Sequence, residues 1–165
     1  MENDNINILL VDGHKKEASK IKACLTQNEE RIFQILHCNS HHDAIRILED
    51  DAFEVDVIIL DLFLLDTINH QEIYKTISQI AEDVPIIVMT EEEAHSLACD
   101  VTACGASDIV IRERFEIAPK RLLDAIEFSI IRSKLVQEVK EKCASEVDDH
   151  KRILHWVTGG YSRAG

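Results

Sequence analysis

The chain lacks any excess of basic residues. Its 165 residues carry 18 Lys and Arg against 31 Asp and Glu, a formal net charge of −13. Sequence-independent binding to nucleic acid or to an anionic membrane depends on surplus Lys and Arg, so this balance argues against both. No apolar run is long enough to span a bilayer. The opening Met1-Glu2-Asn3-Asp4-Asn5 is acidic and polar, unlike a signal peptide. The five cysteines, Cys24, Cys38, Cys99, Cys104 and Cys143, are odd in number and contain no Cys-x-x-Cys pair. They fit a reduced, cytoplasmic compartment, with most of them acting as small buried hydrophobes. Glycine is scarce, five in all, and Gly13-His14-Lys15-Lys16 after the first apolar run is no cradle for a phosphate. No internal repeat or low-complexity tract is present.

What is present is an alternation of short apolar runs and amphipathic segments. Strands are predicted at Ile6–Val11, Ile32–His37, Val55–Asp61, Pro85–Thr90 and Asp108–Ile111. Pro85 opens the fourth, where no ladder donor is needed. Helices are predicted from Lys15 to about Gln27 (Ala18, Ile21 and Leu25 inward), over His41–Asp50 (Ala44, Ile45, Leu48) and over Asn69–Ala81 (Ile73, Ile77, Ile80). A fourth runs from Ala94 to about Cys104, closed by Gly105 as a left-handed cap. A fifth begins with Pro119 in its first turn. Strands separated by helices imply a parallel sheet with right-handed crossovers, α/β in class and the size of a flavodoxin-like doubly wound domain.

Asp61 carries the most functional information. It ends the apolar run Val57-Ile58-Ile59-Leu60, which reads as a fully buried strand. Open α/β sheets place their chemistry at the carboxyl ends of such strands. Strand-end Asp12, Thr90 and Arg112 keep it company after strands one, four and five.

The fifth helix does not stop where a domain of this size needs it to. The helical pattern runs from Pro119 to about Val157 without Pro or Gly, almost 60 Å at roughly 1.5 Å per residue. After Ser133 the apolar positions thin to one stripe, Leu135, Val139, Cys143, Val147, then Leu154 and Val157. The steps average about 3.7 residues, so any supercoil is shallow or right-handed. Such a stripe reads as a two-stranded coiled coil or a helical linker, with Trp156 as an interface anchor. Charge follows the same division. Met1–Ser133 holds 12 basic and 26 acidic residues, a balance of −14, whereas Lys134–Gly165 holds 6 and 5, a balance of +1.

Together, Ile8-Leu9-Leu10-Val11-Asp12, Val57-Ile58-Ile59-Leu60-Asp61, Pro85-Ile86-Ile87-Val88-Met89-Thr90, Cys104-Gly105-Ala106-Ser107-Asp108 and Arg112 resemble the receiver domain of two-component response regulators. The resemblance covers Ile6 to about Arg132. It implies a five-stranded sheet in the order 2-1-3-4-5 and Asp61 as acceptor of a phosphoryl group from a histidine kinase or phosphotransfer protein. It further implies a Mg²⁺ site at Asp12, Asp61 and Phe63, and a switch through Thr90, Arg112 and Ile109. Mg²⁺ there offsets phosphoryl charge and needs hard oxygen ligands. The switch would remodel the face formed by the fourth and fifth helices.

Several positions depart from the family pattern. The second acid after strand one is Gly13, which removes a direct metal ligand and predicts a weakened Mg²⁺ site, with water, Glu91 or Glu92 as substitutes. Arg112 stands where the family has Lys, keeping the charge in a bulkier group. Ile109 replaces the aromatic switch residue and has no polar tip. Glu113 and Leu65 replace prolines, and Asn69 replaces a glycine. Glu91 puts a carboxylate where the family has a small residue. The remaining candidates read blandly. His41 and His42 are capping or solvated residues, His150 and His155 are solvated helix positions, and Glu91-Glu92-Glu93 is an acidic first turn.

The expected organisation is a receiver over 1–132, a helical extension over 133–158 and a flexible end over 159–165. Two readings stay open for its function, a phosphorylated receiver and a phosphorylation-independent docking and dimerisation platform. A flavodoxin-like small-molecule enzyme is the remote third. About thirty residues after the receiver are too few for an output domain, so either the chain is the N-terminal piece of a longer protein or the helix is itself the output. No catalytic residues are expected, and a homodimer through the extension is.

Overall fold

The computed structural model describes residues 5–29, 31–50, 53–63, 69–91, 100–115 and 117–159, with side chains through 153. The elements are β1 (Ile6–Val11), α1 (Lys15–Thr26), β2 (Phe33–Cys38), α2 (His41–Glu49), β3 (Val57–Asp61), α3 (His70–Ile80), β4 (Ile86–Thr90), β5 (Asp108–Ile111), the single turn α4 (Arg112–Phe115) and α5 (Lys120–Gly159). All five strands are parallel, in the order β2-β1-β3-β4-β5. This is the flavodoxin-like doubly wound sheet expected from the sequence.

The apolar runs are continuous because both faces of the sheet are covered. Alternation divides each run between two cores. Ile8 and Leu10, Val57 and Ile59, and Ile87 and Met89 pack with Ala18, Ile21 and Leu25 of α1 and with Leu122, Ala125 and Ile126 of α5. Leu9 and Val11, Ile58 and Leu60, and Ile86 and Val88 face the other way, onto Ala44 of α2 and Ile73, Tyr74 and Ile77 of α3. Burying one such aliphatic side chain contributes about 1.5–3 kcal/mol, so the three central strands supply most of the cohesion.

Local chemistry sets the helix ends. Ser40 accepts a hydrogen bond from the Asp43 amide at the start of α2, and Asn69 accepts from the Glu72 amide at the start of α3. Residues 100–103 are helical and end at Gly105, whose φ is +108°. The Gly105 amide donates to the Thr102 carbonyl at 2.9 Å and the Ala106 amide to Val101 at 3.3 Å, the paired bonds of a Schellman cap.

Some expectations shift. Strand β2 lies one residue later than predicted, β3 begins at Val57 rather than Val55, and Pro119 precedes α5 rather than lying within it. Ile80 is half-buried, and Tyr74 takes the inward place on α3. Burial pushes its phenol up to about 12, with the Cys104 thiol a smaller contributor. Of the four cysteines described, Cys38 is buried and Cys24 half-buried, but Cys104 and Cys143 are exposed. Cys104 sits in the turn before Gly105 and Cys143 on the charged helix, so neither has a core to enter. The start of the helix predicted from Ala94, together with Cys99, Leu65, Glu92 and the end at 160–165, lies outside the described residues. So do the side chains of Leu154, His155, Trp156 and Val157.

The chain forms two compact units, Met1–Ile131 and Arg132–Gly165. The first holds the sheet. The second is helical, and its residues 134–153 are all exposed. Among the described residues no helix is long and apolar enough to cross a membrane.

Candidate functional site

The sheet register assembles the site. Val11 pairs with Leu60, so Asp12 and Asp61 follow one step beyond on neighbouring strands. Asp61 pairs with Met89, which brings Thr90 next, and Thr90 pairs with Ile111, which brings Arg112 next. Four polar residues from four strands therefore meet at one carboxyl edge. Strand β1 lies between β2 and β3, so this edge is the switch point where open α/β sheets hold their ligands.

Asp12, Asp61 and Thr90 are each 1% exposed, and the Arg112 side chain is 13% exposed. The two carboxylates are used alike. Asp12 Oδ1 accepts the His14 amide at 2.7 Å, and Asp61 Oδ1 accepts the Phe63 amide at 3.0 Å. Each side chain thereby folds the loop after its own strand. Each Oδ2 is buried and has no hydrogen-bond partner among the described residues. A buried carboxylate oxygen without a donor is costly, and it marks where a cation or a transferred group would sit.

Two cationic side chains approach these oxygens. Arg112 Nη2 lies 2.7 Å from Asp61 Oδ2, and its Nη1 lies 3.5 Å from Asp12 Oδ2. The shorter contact is charge against charge without hydrogen-bond alignment, since Nη2 and both Oδ2 atoms remain unpaired in that sense. His14 was not singled out from the sequence. Its Nδ1 lies 3.5 Å from Asp61 Oδ2 and 3.6 Å from Asp12 Oδ1, on a half-exposed side chain. The signal was an imidazole two residues after a strand-end Asp, brought inward by the turn that Asp12 Oδ1 makes with the His14 amide.

Charge explains the electrostatics. Burial pushes the Asp12 carboxyl above its ordinary value and Asp61 adds to this, against the His14 amide, Arg112 and the His14 ring. For Arg112 burial favours loss of the proton, but Asp61 and Asp12 outweigh it and hold the guanidinium above its usual range.

The other predicted residues fall around this centre. The Thr90 hydroxyl donates to the Glu91 carbonyl at 3.4 Å. Glu91 is exposed. The half-buried Phe63 ring lies 5.2 Å from that of His70, tilted 52° to it. Ile109 is half-buried, and its carbonyl accepts from Arg121, which grips Asp108 through two nitrogens at 3.0 and 2.6 Å. This clamp ties β5 to the start of α5. The His41 and His42 rings meet at 3.9 Å, tilted by 42°, at the start of α2. Leu135, Val139 and Val147 are each more than half exposed, and Cys143 is exposed beside them.

The donor set fits a divalent cation in part. Asp12 and Asp61 offer two hard oxygens with a free Oδ2 each, while Gly13 offers no side chain. With Asp12 and Asp61, His14 forms a group whose donor atoms lie within 4.8 Å of one another.

The family model described as response regulator receiver domain matches residues 8–127. No curated protein matches the chain. Among solved structures, an adenylate cyclase from Rhodopirellula baltica is 19% identical with a TM-score of 0.69, over 86% of this chain and 98% of that one. A response regulator receiver domain protein from Clostridium thermocellum is 22% identical, with a TM-score of 0.62, over 79% and 98%. The N-terminal receiver domain of a two-component response regulator from Bacteroides fragilis is 19% identical, with a TM-score of 0.64, over 77% and 98%. At these identities the likeness is one of fold.

Proposed function

The chain belongs to the response regulator receiver domain family, and on that premise we propose that it is a signalling module whose phosphoacceptor is Asp61. Receiver domains are signalling modules of two-component systems. The observation that carries the acceptor reading is Asp61 Oδ2, which is buried at the sheet edge, unpartnered by any hydrogen bond and 2.7 Å from a guanidinium. As Oδ2 bonds to phosphorus, the bond from phosphorus to the donor imidazole breaks. Arg112 neutralises charge gathering on the phosphoryl oxygens. The Asp61 turn onto the Phe63 amide holds the carboxylate in place, leaving only Oδ2 to react. Thr90, whose hydroxyl makes a long bond to the Glu91 carbonyl, turns toward the phosphoryl group once it is formed. Mg²⁺ bound at Asp12 and Asp61 would offset the phosphoryl charge.

The donor is a histidine kinase or a phosphotransfer protein. We assign the receiver to residues 1–132, a helical extension to 133–158 and an end segment to 159–165. The extension pairs two copies through Leu135, Val139, Cys143 and Val147, an apolar stripe that is exposed in the single chain. The Arg121–Asp108 clamp carries a change at the phosphorylated edge into α5.

A second reading has its own support. Arg112 already contacts both carboxylates, Gly13 removes one ligand, and Ile109 has no polar tip to bury or expose. A receiver so altered can signal by docking alone. Intact mass after incubation with a small phosphodonor and Mg²⁺ separates the two. One added phosphoryl group in the wild type, absent from Asp61→Asn, supports the acceptor. No gain at millimolar Mg²⁺ leaves the docking platform.

A further inference from the structure

We propose that His14 is a metal ligand, and that with Asp12 and Asp61 it makes this edge a site for a borderline divalent ion such as Zn²⁺ rather than a dedicated Mg²⁺ site. The proposal takes its location from the acceptor reading and nothing else.

Three observations carry it. First, the side chains lost and gained are complementary. Gly13 offers no donor, and the next residue, His14, directs Nδ1 between the two carboxylates. Of the two glutamates that could fill the gap, Glu91 is exposed and Glu92 lies outside the described residues. Second, the spacing suits a small tetrahedral ion. Nδ1 stands 3.6 Å from Asp12 Oδ1 and 3.5 Å from Asp61 Oδ2. Donors about 2.1 Å from a tetrahedral ion stand roughly 3.4 Å apart, and donors about 2.1 Å from an octahedral ion stand roughly 3.0 Å apart. Third, the buried Oδ2 atoms of Asp12 and Asp61 have no hydrogen-bond donor among the described residues, and both face the one Arg112 guanidinium, so their demand for a cation is met by charge contact alone.

Ligand chemistry sets the preference. Mg²⁺ dehydrates reluctantly and takes oxygen, so an imidazole adds little to its affinity. An imidazole suits Zn²⁺ and its neighbours. Arg112 is the cation that the two carboxylates hold in the ion's place, and an ion entering here competes with it for Asp61 Oδ2.

Calorimetric titration of the full chain with Zn²⁺ and, separately, Mg²⁺ tests this, with His14→Ala, His14→Gln and Asp61→Asn alongside. Any N/O site favours Zn²⁺ over Mg²⁺, so the deciding quantity is the part that depends on His14. The expected result is one Zn²⁺ per chain, weakened at least about tenfold in both His14 variants, with Mg²⁺ affinity unchanged. Loss of an outer-sphere partner alone commonly costs 10–100-fold, which sets that lower bound. Wild-type Zn²⁺ affinity in His14→Ala would overturn the proposal, as would equal losses for both ions, which would mean that His14 only positions Asp12. If the His14 variants bind Zn²⁺ normally yet Asp61→Asn binds neither ion, the ligand assignment fails while the cation site of the acceptor reading survives. If Asp61→Asn binds both ions as the wild type does, that reading's cation site fails as well.

Discussion

Arg112 Nη2 lies 2.7 Å from Asp61 Oδ2, and the same guanidinium reaches Asp12 at 3.5 Å. One arginine thus partly neutralises two buried carboxylates from different strands. This sets the resting energetics of the site, because two like charges at this edge repel and neither Oδ2 has a hydrogen-bond donor.

Arg112→Ala removes that counter-charge. Leaving a buried ion-pair partner uncompensated costs on the order of 3 kcal/mol. Urea unfolding should show a loss of that order with unchanged slope, and Arg112→Lys should recover most of it. A loss no larger than that of an exposed ion pair, below about 1 kcal/mol, would mean that solvent already screens the two acids.

The raised Asp12 carboxyl gives a pH dependence of definite sign. Burial leads, with repulsion from Asp61 added, so the folded state binds a proton here more readily than the unfolded chain. The stabilising contribution is therefore full below the ordinary value of 3.8 and is lost as pH rises through the folded value. Stability of the wild type relative to Asp12→Asn should fall as pH rises above 3.8. Urea midpoints for both, measured in EDTA so that no cation intervenes, check this. A difference that is flat or rises with pH would show that Arg112 and the His14 amide dominate over burial.

Gly105 is set by its backbone. With φ at +108°, any L side chain is strained there, whereas an added Cβ would meet only the Tyr74 hydroxyl at an ordinary 3.8 Å. Gly105→Ala should therefore cost on the order of 1 kcal/mol from conformation alone. Chemical denaturation reads this directly. A much larger cost would point to a clash that the spacing does not contain.

The sheet and the Asp12, Asp61, Thr90 and Arg112 edge were legible because parallel strands buried on both faces write themselves as uninterrupted apolar runs. Where such runs end, the first polar residues fall at one edge once the strands are in register. His14 was not legible as a neighbour of Asp61. Its position depends on a turn closed by the Asp12 carboxylate, a contact with no periodicity. Tyr74 stands outside the pattern because three isoleucines already complete the helical stripe of α3, whose buried face is wider than that stripe. The single turn Arg112–Phe115 is too short to leave a pattern, yet it places Phe115 in the core beneath α1.

The stripe on α5 makes the last prediction. Leu135, Val139 and Val147 are each more than half exposed in the single chain, in a segment whose remaining positions are largely charged, Val136 and Ile153 apart. Isolated helices gain little from propensity, so a segment whose residues 134–153 are all exposed would be stabilised by an apolar partner. If two copies pair in parallel and in register, Cys143 of one chain faces Cys143 of the other, and its thiol is exposed to oxidant. Mild oxidation should then give a covalent dimer on non-reducing gels that Cys143→Ser abolishes, although Cys104 is also exposed. Val139→Asp places a charge in the stripe and should shift the sedimentation of the full chain to monomer without changing its unfolding midpoint at low concentration. An antiparallel pair would stay dimeric in the centrifuge yet fail to cross-link. A chain that sediments as a monomer at high micromolar concentration would remove the helix as a dimer contact and leave it as a linker.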